Sequence, residues 1–296
     1  MAASRQGGAI LGLLVQILAN GVLLGGLYGL MALGMALVWG VLNIVNLAHG
    51  AFIMLGGYAT YYLFTLAGID PFLALPFAML IMFAFGYLVQ MAILNQIIRS
   101  AQLNTLLITF GLDVVLTYLA LLAFSADFRT INPSWAGANT TVLGVTIPLV
   151  RLAAFAIAWI LAAALWFVLN RLPLGRAIRA TAQNLTAARL YGVNPRQIYA
   201  LTFGMGAALA GAAGGLYGLI SHLTPYVGVS LTAKSFVIAV IGGLDNPFAV
   251  IAAGLVIGIA ESLASLYLGP TFADVISFGL LVVILVVRPT RALRSA

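Results

Sequence analysis

Nine apolar stretches, separated by short polar breaks, occupy almost the whole of this sequence. They lie at about 10–38, 46–66, 72–98, 103–124, 148–170, 197–220, 231–244, 248–268 and 271–287. A helix needs roughly 20 apolar residues to cross the hydrocarbon core of a bilayer, so the chain has material for about eight or nine transmembrane helices. The stretch 231–244 is short and contains Lys234, which predicts a broken or re-entrant segment there.

Charged side chains are too scarce to give this chain a water-compatible surface. Only 6% of its residues are charged, whereas soluble domains contain about 25%. Glycine is abundant, with 32 residues, and the pairs Gly211–Gly215 and Gly254–Gly258 predict faces on which helices contact one another. We therefore predict an all-α, polytopic helical bundle that forms a single domain over residues 1–296. The first stretch is too long for the apolar core of a signal peptide, so we interpret it as an uncleaved first span.

Proline after a polar residue marks several of the breaks between stretches. Asn194-Pro195 is typical of a helix start, with an N-cap residue followed by proline at the first helical position. Asp70-Pro71 and Asp245-Asn246-Pro247 predict tight turns between neighbouring spans. A longer polar connection lies at 125–147.

The arginines predict how the bundle is oriented in the membrane. The segment 171–196 contains five of them and no acidic residue, and three more follow the last apolar stretch. Basic residues gather in cytoplasmic loops, so we expect this segment and the C-terminus to be cytoplasmic. Arg99, between the third and fourth stretches, fits the same side. Counting three spans back from Arg99 places the N-terminus on the side of the membrane opposite to the cytoplasm. Arg5 is a basic residue near that end, so it fits this orientation less well.

The segment 171–196 also predicts a short amphipathic helix outside the bilayer. Apolar residues recur at the spacing of one helix face at Ile178, Ala182 and Leu185. A polar stripe on another face is formed by Arg176, Arg179 and Gln183. Such a helix either docks into a groove on a cytoplasmic partner or only contacts lipid headgroups.

Three polar side chains interrupt the apolar region 39–50, namely Asn43, Asn46 and His49. Burying an amide without a hydrogen-bond partner costs roughly 1–3 kcal/mol. We therefore expect these groups to bind each other, the backbone or water. They are interpreted either as a structural network between helices or as part of a solute path.

Two carboxylates are predicted within membrane spans, Asp113 in the fourth stretch and Glu261 in the eighth. A carboxylate at mid-span costs roughly 2.5–3.5 kcal/mol on insertion scales, so neither is expected to face lipid. Each is a candidate for a solute path, with a simple buried hydrogen bond as the alternative. Glu261 is also close enough to the turn at 269–270 to snorkel towards the headgroups. His222 and Lys234 are predicted to lie near an outer end of the bundle, at the membrane interface.

Motifs for catalysis and for nucleotide binding are absent from the sequence. It contains no G-x-x-x-x-G-K-[ST] phosphate cradle, and Lys234 is its single lysine. It also contains no H-E-x-x-H or G-x-S-x-G pattern, no cysteine and only two histidines, which is poor material for a metal site or an intramembrane enzyme. The net charge of +7 is explained by positive cytoplasmic loops rather than by nucleic acid. We expect no enzymatic activity, cofactor or metal in this chain.

Several runs of the sequence carry a distinctive pattern. The first two are Asn20-Gly-Val-Leu-Leu-Gly-Gly-Leu-Tyr-Gly-Leu-Met-Ala-Leu-Gly and Asn46-Leu-Ala-His-Gly-Ala-Phe-Ile-Met-Leu-Gly-Gly-Tyr. Together with Gly175-Arg-Ala-Ile-Arg-Ala and the block from Ala187 to Gly218, they resemble the LivH-type inner-membrane permeases of branched-chain amino acid ABC transporters. The resemblance implies a LivM-like second permease subunit, two cytoplasmic ATPase subunits and a periplasmic substrate-binding protein as partners.

The resemblance also implies a coupling helix over 176–192. Permeases of ABC importers carry a Glu-Ala-Ala-x-x-x-Gly motif that transmits movement from the ATPases. The matching positions here are Thr186, Ala187, Ala188 and Gly192, with threonine in place of glutamate. A salt bridge from the first position of the motif is therefore not expected.

Two alternatives to this interpretation stay open on the sequence alone. Relatives of such permeases carry urea, amides or aromatic acids, so the solute is either a branched-chain amino acid or one of these. A stand-alone secondary transporter would use Asp113 or Glu261 for ion coupling and would need no ATPase.

Overall fold

The computed structural model of the protein describes residues 2–97, 102–142, 145–244, 246–269 and 272–287. Helices account for most of these residues. In chain order they are α1 (Ala2–Leu42), α2 (His49–Ala67), α3 (Pro71–Val89), α4 (Asn95–Ile97), α5 (Gln102–Phe124), α6 (Leu149–Arg171), α7 (Pro173–Gln183), α8 (Leu185–Leu190), α9 (Pro195–Ile220), α10 (Val227–Gly242), α11 (Pro247–Tyr267) and α12 (Ala273–Val287). A π-helical turn, Gln90–Leu94, joins α3 to α4.

Seven of the described helices are long and apolar enough to cross a membrane. They are α1, α2, α5, α6, α9, α11 and the continuous rod formed by α3, the π-helical turn and α4. The predicted stretch 231–244 belongs to α10, an unbroken helix of 16 residues that begins four residues earlier, at Val227. The fold is therefore the predicted polytopic, all-α bundle.

Polar N-caps explain where several long helices begin. The side chains of Asp70, Asn194 and Asn246 each accept a hydrogen bond from the backbone N–H two residues further on, at 2.9–3.1 Å. A proline follows each of them at the first helical position, where no N–H is needed. The contact of Asn194 confirms the predicted helix start, and Asp70 and Asn246, predicted to lie in turns, cap helices as well. Asp245 and Arg99 lie outside the described residues.

Glycines bring the central helices into backbone contact. A methyl group built on Gly254 of α11 would meet the backbone nitrogen of Gly29 in α1 at 2.5 Å, and Gly258 packs on α1 in the same way. A methyl group on Gly211 of α9 would meet Cγ of Met82 in α3 at 2.8 Å. Side chains larger than hydrogen would keep these helices apart. Both predicted glycine faces are therefore confirmed as helix contacts.

The link between α1 and α2 runs back into the bundle. The imidazole Nε2 of His49, the first residue of α2, lies 2.8 Å from the carbonyl oxygen of Met31 in α1. Met31 precedes the end of α1 at Leu42 by a rise of about 16 Å, at 1.5 Å per residue. Residues 43–48 are therefore a non-helical segment inside the bundle, which we call the return segment.

The start of α10 meets the start of α2 in the same interior region. Gly50 and Gly228 pack backbone to backbone, since a methyl group on Gly50 would overlap the carbonyl oxygen of Gly228. The Thr232 hydroxyl accepts a hydrogen bond from the Gly50 N–H at 2.7 Å and donates one to the carbonyl of Leu47 at 3.2 Å. Two helix N-termini, each the positive end of a helix dipole, thus lie side by side within the bundle.

A β-hairpin that the sequence analysis did not predict lies at one end of the bundle. Its antiparallel strands are β1 (Asn139–Val142) and β2 (Val145–Pro148). The side-chain amide of Gln16 exchanges two hydrogen bonds with the backbone of Thr146, at 2.7 and 2.8 Å. The indole N–H of Trp135 donates to Asp70 Oδ2 at 2.8 Å. We call this the hairpin end; α6 leads from it to α7 and α8, which lie at the opposite, arginine end.

Candidate functional site

The predicted coupling helix 176–192 is two helices, α7 and α8. The break falls at Asn184, which has extended backbone angles of φ −152° and ψ 101°. Its side-chain oxygen accepts a hydrogen bond from the Ala187 N–H at 2.9 Å, so it caps the start of α8. Gly192 follows α8 with a left-handed φ of 80°. The prediction of one continuous helix was therefore wrong, because the cap at Asn184 restarts the helix in a new direction.

The seven residues predicted for coupling differ in their exposure. Arg176, Gln183, Thr186 and Gly192 are exposed, Arg179 and Ala187 are half-buried, and Ala188 is buried. Ile178 is buried, which confirms the inward apolar face of α7. The Arg179 guanidinium donates hydrogen bonds to the carbonyl oxygen of Leu169 and to Asn170 Oδ1 at the end of α6. Arg179 therefore holds the corner between α6 and α7.

Two large side chains at the end of α8 were missed by the sequence analysis. Leu190 is 84% exposed and Tyr191 is 90% exposed. Their position directly after Arg189, in a polar segment outside the membrane spans, was the signal that could have identified them. Two neighbouring large apolar side chains in such a segment cannot be buried in the bundle core, so they are expected on the surface. With Arg176, Gln183 and Thr186 they form what we call the α7–α8 surface.

Asn46 and His49 bind backbone atoms rather than each other, and Asn43 is exposed. Asn43 is exposed and has a left-handed φ of 54° at the end of α1. Asn46 is buried, and its side-chain oxygen accepts a hydrogen bond from the Ala48 N–H at 3.1 Å. His49 is buried against α1 through its contact with Met31. The buried pair thus fixes the shape of the return segment, as the structural interpretation predicts.

Asp113 lies on a cavity of about 490 Å³ between α5, the return segment, α10 and α12, which we call the Asp113 cavity. Apart from Asp113 and Thr232, the lining residues are apolar, among them Leu106, Phe110 and Phe236. Asp113 is only 6% exposed, and its Oδ1 has no hydrogen-bond partner among the described residues. The cavity is an open groove rather than an enclosed chamber, since its lining residues Phe110, Val229 and Phe278 are 46–64% exposed.

The polarity of α5 is inverted relative to that of a water-soluble helix. Its buried face contains polar residues at intervals of four, namely Thr105, Thr109, Asp113 and Thr117. Its exposed face contains apolar residues such as Leu107, Phe110 and Leu122. The Thr109 hydroxyl lies 3.1 Å from the Leu106 carbonyl and 3.4 Å from the Val45 carbonyl of the return segment. In a membrane, a polar face turned inwards is typical of a helix beside a solute path.

Glu261 belongs to a different cluster, which joins four helices. Its Oε1 lies 2.9 Å from the Nζ of Lys234 on α10, and its Oε2 lies 3.1 Å from the same nitrogen. The Ser277 hydroxyl of α12 donates to Oε1 at 2.5 Å. Lys234 also contacts Tyr28 of α1, with Nζ 3.3 Å from the hydroxyl and 4.4 Å from the ring centroid. We call these four residues the Lys234–Glu261 cluster.

This cluster corrects two predictions. The Lys234 side chain is 12% exposed and lies in the middle of α10, so it is not interfacial. Glu261 is buried and does not snorkel, because Lys234 supplies a neutralising partner within the bundle. His222, by contrast, is exposed at the hairpin end, where its Nδ1 lies 2.8 Å from the Thr130 hydroxyl. Within the described residues, no three His, Asp or Glu side chains lie close enough together to hold a metal ion.

A family model described as the permease component of branched-chain amino acid transport systems matches residues 17–285 of the chain. The chain is 32% identical to the high-affinity branched-chain amino acid transport system permease protein LivH of Escherichia coli K12, over 93% of this chain and 94% of LivH. It is 31% identical to the corresponding protein BraD of Pseudomonas aeruginosa, with the same coverage. It is also 27% identical to the permease protein LivM of Escherichia coli K12, over 89% of this chain and 67% of LivM. No solved structure matches it.

Proposed function

Because this chain belongs to the family of permease components of branched-chain amino acid transport systems, we propose that it forms one half of the translocation path of an ABC importer. Its resemblance to LivH-type permeases is confirmed, and it is a multi-pass membrane protein. The similarity to both LivH and LivM indicates a transport system with a second permease subunit. The observation that carries the proposal is the match to LivH over almost the full length of both chains.

The energy for transport comes, in this proposal, from two ATPase subunits on the cytoplasmic side of the inner membrane. The chain has no phosphate-binding loop of its own, so ATP must be hydrolysed elsewhere. The arginine end has five arginines in 171–196, whereas the described part of the hairpin end has Arg129 and Arg151 beside Asp70 and Asp127. This asymmetry supports a cytoplasmic arginine end and C-terminus, although the last residues, 288–296, lie outside the described chain.

The α7–α8 surface is the proposed contact with the ATPases. Tyr191 and Arg176 are the residue types that most often dominate the energy of protein interfaces, and both are exposed here. Ala188 and Arg179 hold the surface in shape from beneath, so their contribution to coupling is indirect. A periplasmic binding protein delivers the solute to the opposite, hairpin end.

The Asp113 cavity is the proposed part of the solute path in this chain. Two observations support this role. The polar stripe of α5 faces inwards beside the cavity, and the N-termini of α2 and α10 meet at its edge. Val45 and Leu47 of the return segment line the cavity. Asn46 and His49 are not among the lining residues but fix the shape of that segment, and Asn43 lies exposed at its start. Glu261 stabilises the helices around the path through its ion pair and is not in the cavity lining.

We expect the double variant Arg176→Glu with Tyr191→Asp to lose its ATPase partners. The change reverses one charge and removes an apolar ring from the α7–α8 surface, without touching the α6–α7 corner held by Arg179. Co-purification of the ATPases with the tagged permease should fall at least about tenfold, which corresponds to about 1.4 kcal/mol of interaction free energy.

The matched control is Tyr267→Asp, since Tyr267 is 72% exposed and lies at the hairpin end of α11. This variant should retain its ATPases at the wild-type level. If the α7–α8 variant also retains them and supports normal uptake, the proposed docking surface is wrong.

A further inference from the structure

A second cavity, of about 250 Å³, lies at the arginine end of the bundle, apart from the Asp113 cavity. It is bordered by Asn95 and Gln96 at the end of the rod, by Arg189 on α8 and by Arg196 and Tyr199 in the first turns of α9. We call it the arginine pocket. Neither the proposed solute path nor the α7–α8 surface includes these side chains, so their role is unassigned.

The arginine pocket carries two positive charges that no described acidic group neutralises. The guanidinium groups of Arg189 and Arg196 are exposed, and neither forms an ion pair or a side-chain hydrogen bond with another described residue. The helices that border the pocket, including the whole rod, contain no acidic residue. Because the arginine fork matches the oxygens of a phosphate, the pocket favours a phosphate-bearing anion.

Amide contacts fix the distance between the two sides of the pocket. The side-chain nitrogen of Asn95 donates a hydrogen bond to the carbonyl oxygen of Arg196 at 3.3 Å, which ties the rod to α9. The side-chain oxygen of Asn95 accepts one at 3.1 Å from Gln90, which is fully buried in the π-helical turn. Such turns inside helices occur frequently at functional sites. The rod and α9 therefore hold a constant spacing beside the two arginines.

An apolar, exposed strip of the rod begins directly at the pocket. The side-chain nitrogen of Asn95 also lies 3.3 Å from the sulfur of Met91, which is 41% exposed. Leu88, three residues earlier and on the same side of the helix, is 62% exposed. A soluble anion would make no use of this strip, whereas a phospholipid has acyl chains that can cover it.

The size of the pocket also fits part of a lipid better than a whole soluble ligand. Its volume of about 250 Å³ is below the range of about 300–1,000 Å³ that is usual for complete small-molecule ligands. A lipid would place only its phosphate and the adjoining headgroup atoms there. A zwitterionic headgroup would bring a cation into a pocket without an acidic side chain, so an anionic headgroup fits best.

From these observations we infer that the arginine pocket binds the phosphate of an anionic phospholipid, whose acyl chains lie along Met91 and Leu88. Basic pockets between transmembrane helices at the cytoplasmic side are a recurring kind of headgroup site. The bound lipid links the end of the rod to α8 and α9. This inference goes beyond the proposed transport function, since it requires only that the chain spans a membrane.

The lipid preference of the purified full chain tests the inference. The chain is stripped of lipid in detergent and titrated with phosphatidylglycerol or with phosphatidylcholine that has the same acyl chains. Bound lipid is counted by native mass spectrometry, and the preference is the ratio of the two affinities. We expect this ratio to fall at least about fivefold in the double variant Arg189→Gln with Arg196→Gln, because both phosphate donors are lost.

The matched control is Arg171→Gln with Arg176→Gln, which removes two exposed arginines of the same end that do not line the pocket. Both double variants lose the same net charge, so general attraction of anionic lipid weakens equally in each. The control should keep the wild-type ratio. Without added lipid, both variants should melt within a few degrees of the wild type, because all four side chains are exposed and Arg196 contacts Asn95 through its backbone.

Three results would overturn the inference. One is a ratio that falls equally in the two double variants, which would show that only net charge matters. Another is displacement of bound phosphatidylglycerol by millimolar inorganic phosphate, which would identify a site for a soluble anion. The third is an unchanged ratio in the pocket variant. If that variant also loses the ATPases from the assembled transporter, the pocket receives an acidic group of an ATPase instead.

Discussion

Replacing Glu261 with glutamine is expected to remove a large part of the free energy that stabilises the folded bundle. Glu261 is buried, and the variant would leave the ammonium of Lys234 in the bundle interior without its neutralising carboxylate. Breaking a buried ion pair by removing one partner costs about 3–5 kcal/mol, against a total stability of about 5–15 kcal/mol for a typical protein. The Ser277 hydroxyl would then donate to a neutral amide oxygen instead of a carboxylate, which weakens the contact of α12 with α11.

The measurement is the apparent melting temperature of the purified chain in detergent, determined from the loss of its monodisperse peak on heating. The matched control is the double variant Glu261→Gln with Lys234→Met, which removes both charges and keeps the volume of the long side chain. It should recover most of the stability lost in the single variant, because no uncompensated charge remains. Equal losses in the single and double variants would contradict this account of the Lys234–Glu261 cluster.

Replacing Gly214 with leucine is expected to prevent α2 and α9 from packing together. A methyl group on Gly214 would overlap the carbonyl oxygen of Ile53 and lie 2.7 Å from the backbone nitrogen of Gly57. Backbone atoms cannot turn aside as a flexible side chain can, so the two helices must separate. Overpacking of a core typically costs about 1–3 kcal/mol and occasionally more, and a leucine pressed against the backbone of α2 belongs to the severe cases.

The control for this prediction is the same substitution at Gly111 of α5, where a methyl group meets no atom within 4 Å. Gly111 is exposed, so Gly111→Leu should leave the melting temperature of the isolated chain within a few degrees of that of the wild type. Expression level and melting temperature of both variants are compared. Similar stability of Gly214→Leu and Gly111→Leu would show that the α2–α9 contact is looser than the structure has it.

Much of the fold could be predicted because the bilayer imposes a length on apolar segments. The starts of α3, α9 and α11 follow from an Asp or Asn cap with a proline behind it, which is a local signal. The glycine faces of α9 and α11 also follow from local spacing. These features depend on residues within one or two turns of each other.

The features that the sequence analysis missed depend on distant residues. Lys234 and Glu261 are 27 positions apart on separate helices, so nothing local marked them as a pair. The depth at which α2 begins is set by the contact of His49 with Met31, a residue within α1 that is 18 positions earlier in the chain. The break at Asn184 did have a local signal, since asparagine is a strong N-cap, but the apolar spacing of the segment suggested one helix.

The candidate site likewise has one part that the sequence could predict and one part that it could not. Asp113 could be selected from the sequence because a carboxylate within an apolar span is unusual. Its role could not be separated from that of Glu261 until the partners of each were known. One carboxylate is bound within the protein and the other faces a cavity, and only the three-dimensional arrangement distinguishes them.

The central claim is that this chain moves solute only with energy received from partner ATPases, and reconstitution tests it most directly. Purified chain in liposomes, with an inward proton or sodium gradient, should give no concentrative uptake of radiolabelled leucine. Addition of the second permease, the ATPases, the binding protein and ATP should produce uptake that stops when ATP is omitted. Gradient-driven accumulation of leucine by the chain alone would contradict the account and would identify a secondary transporter.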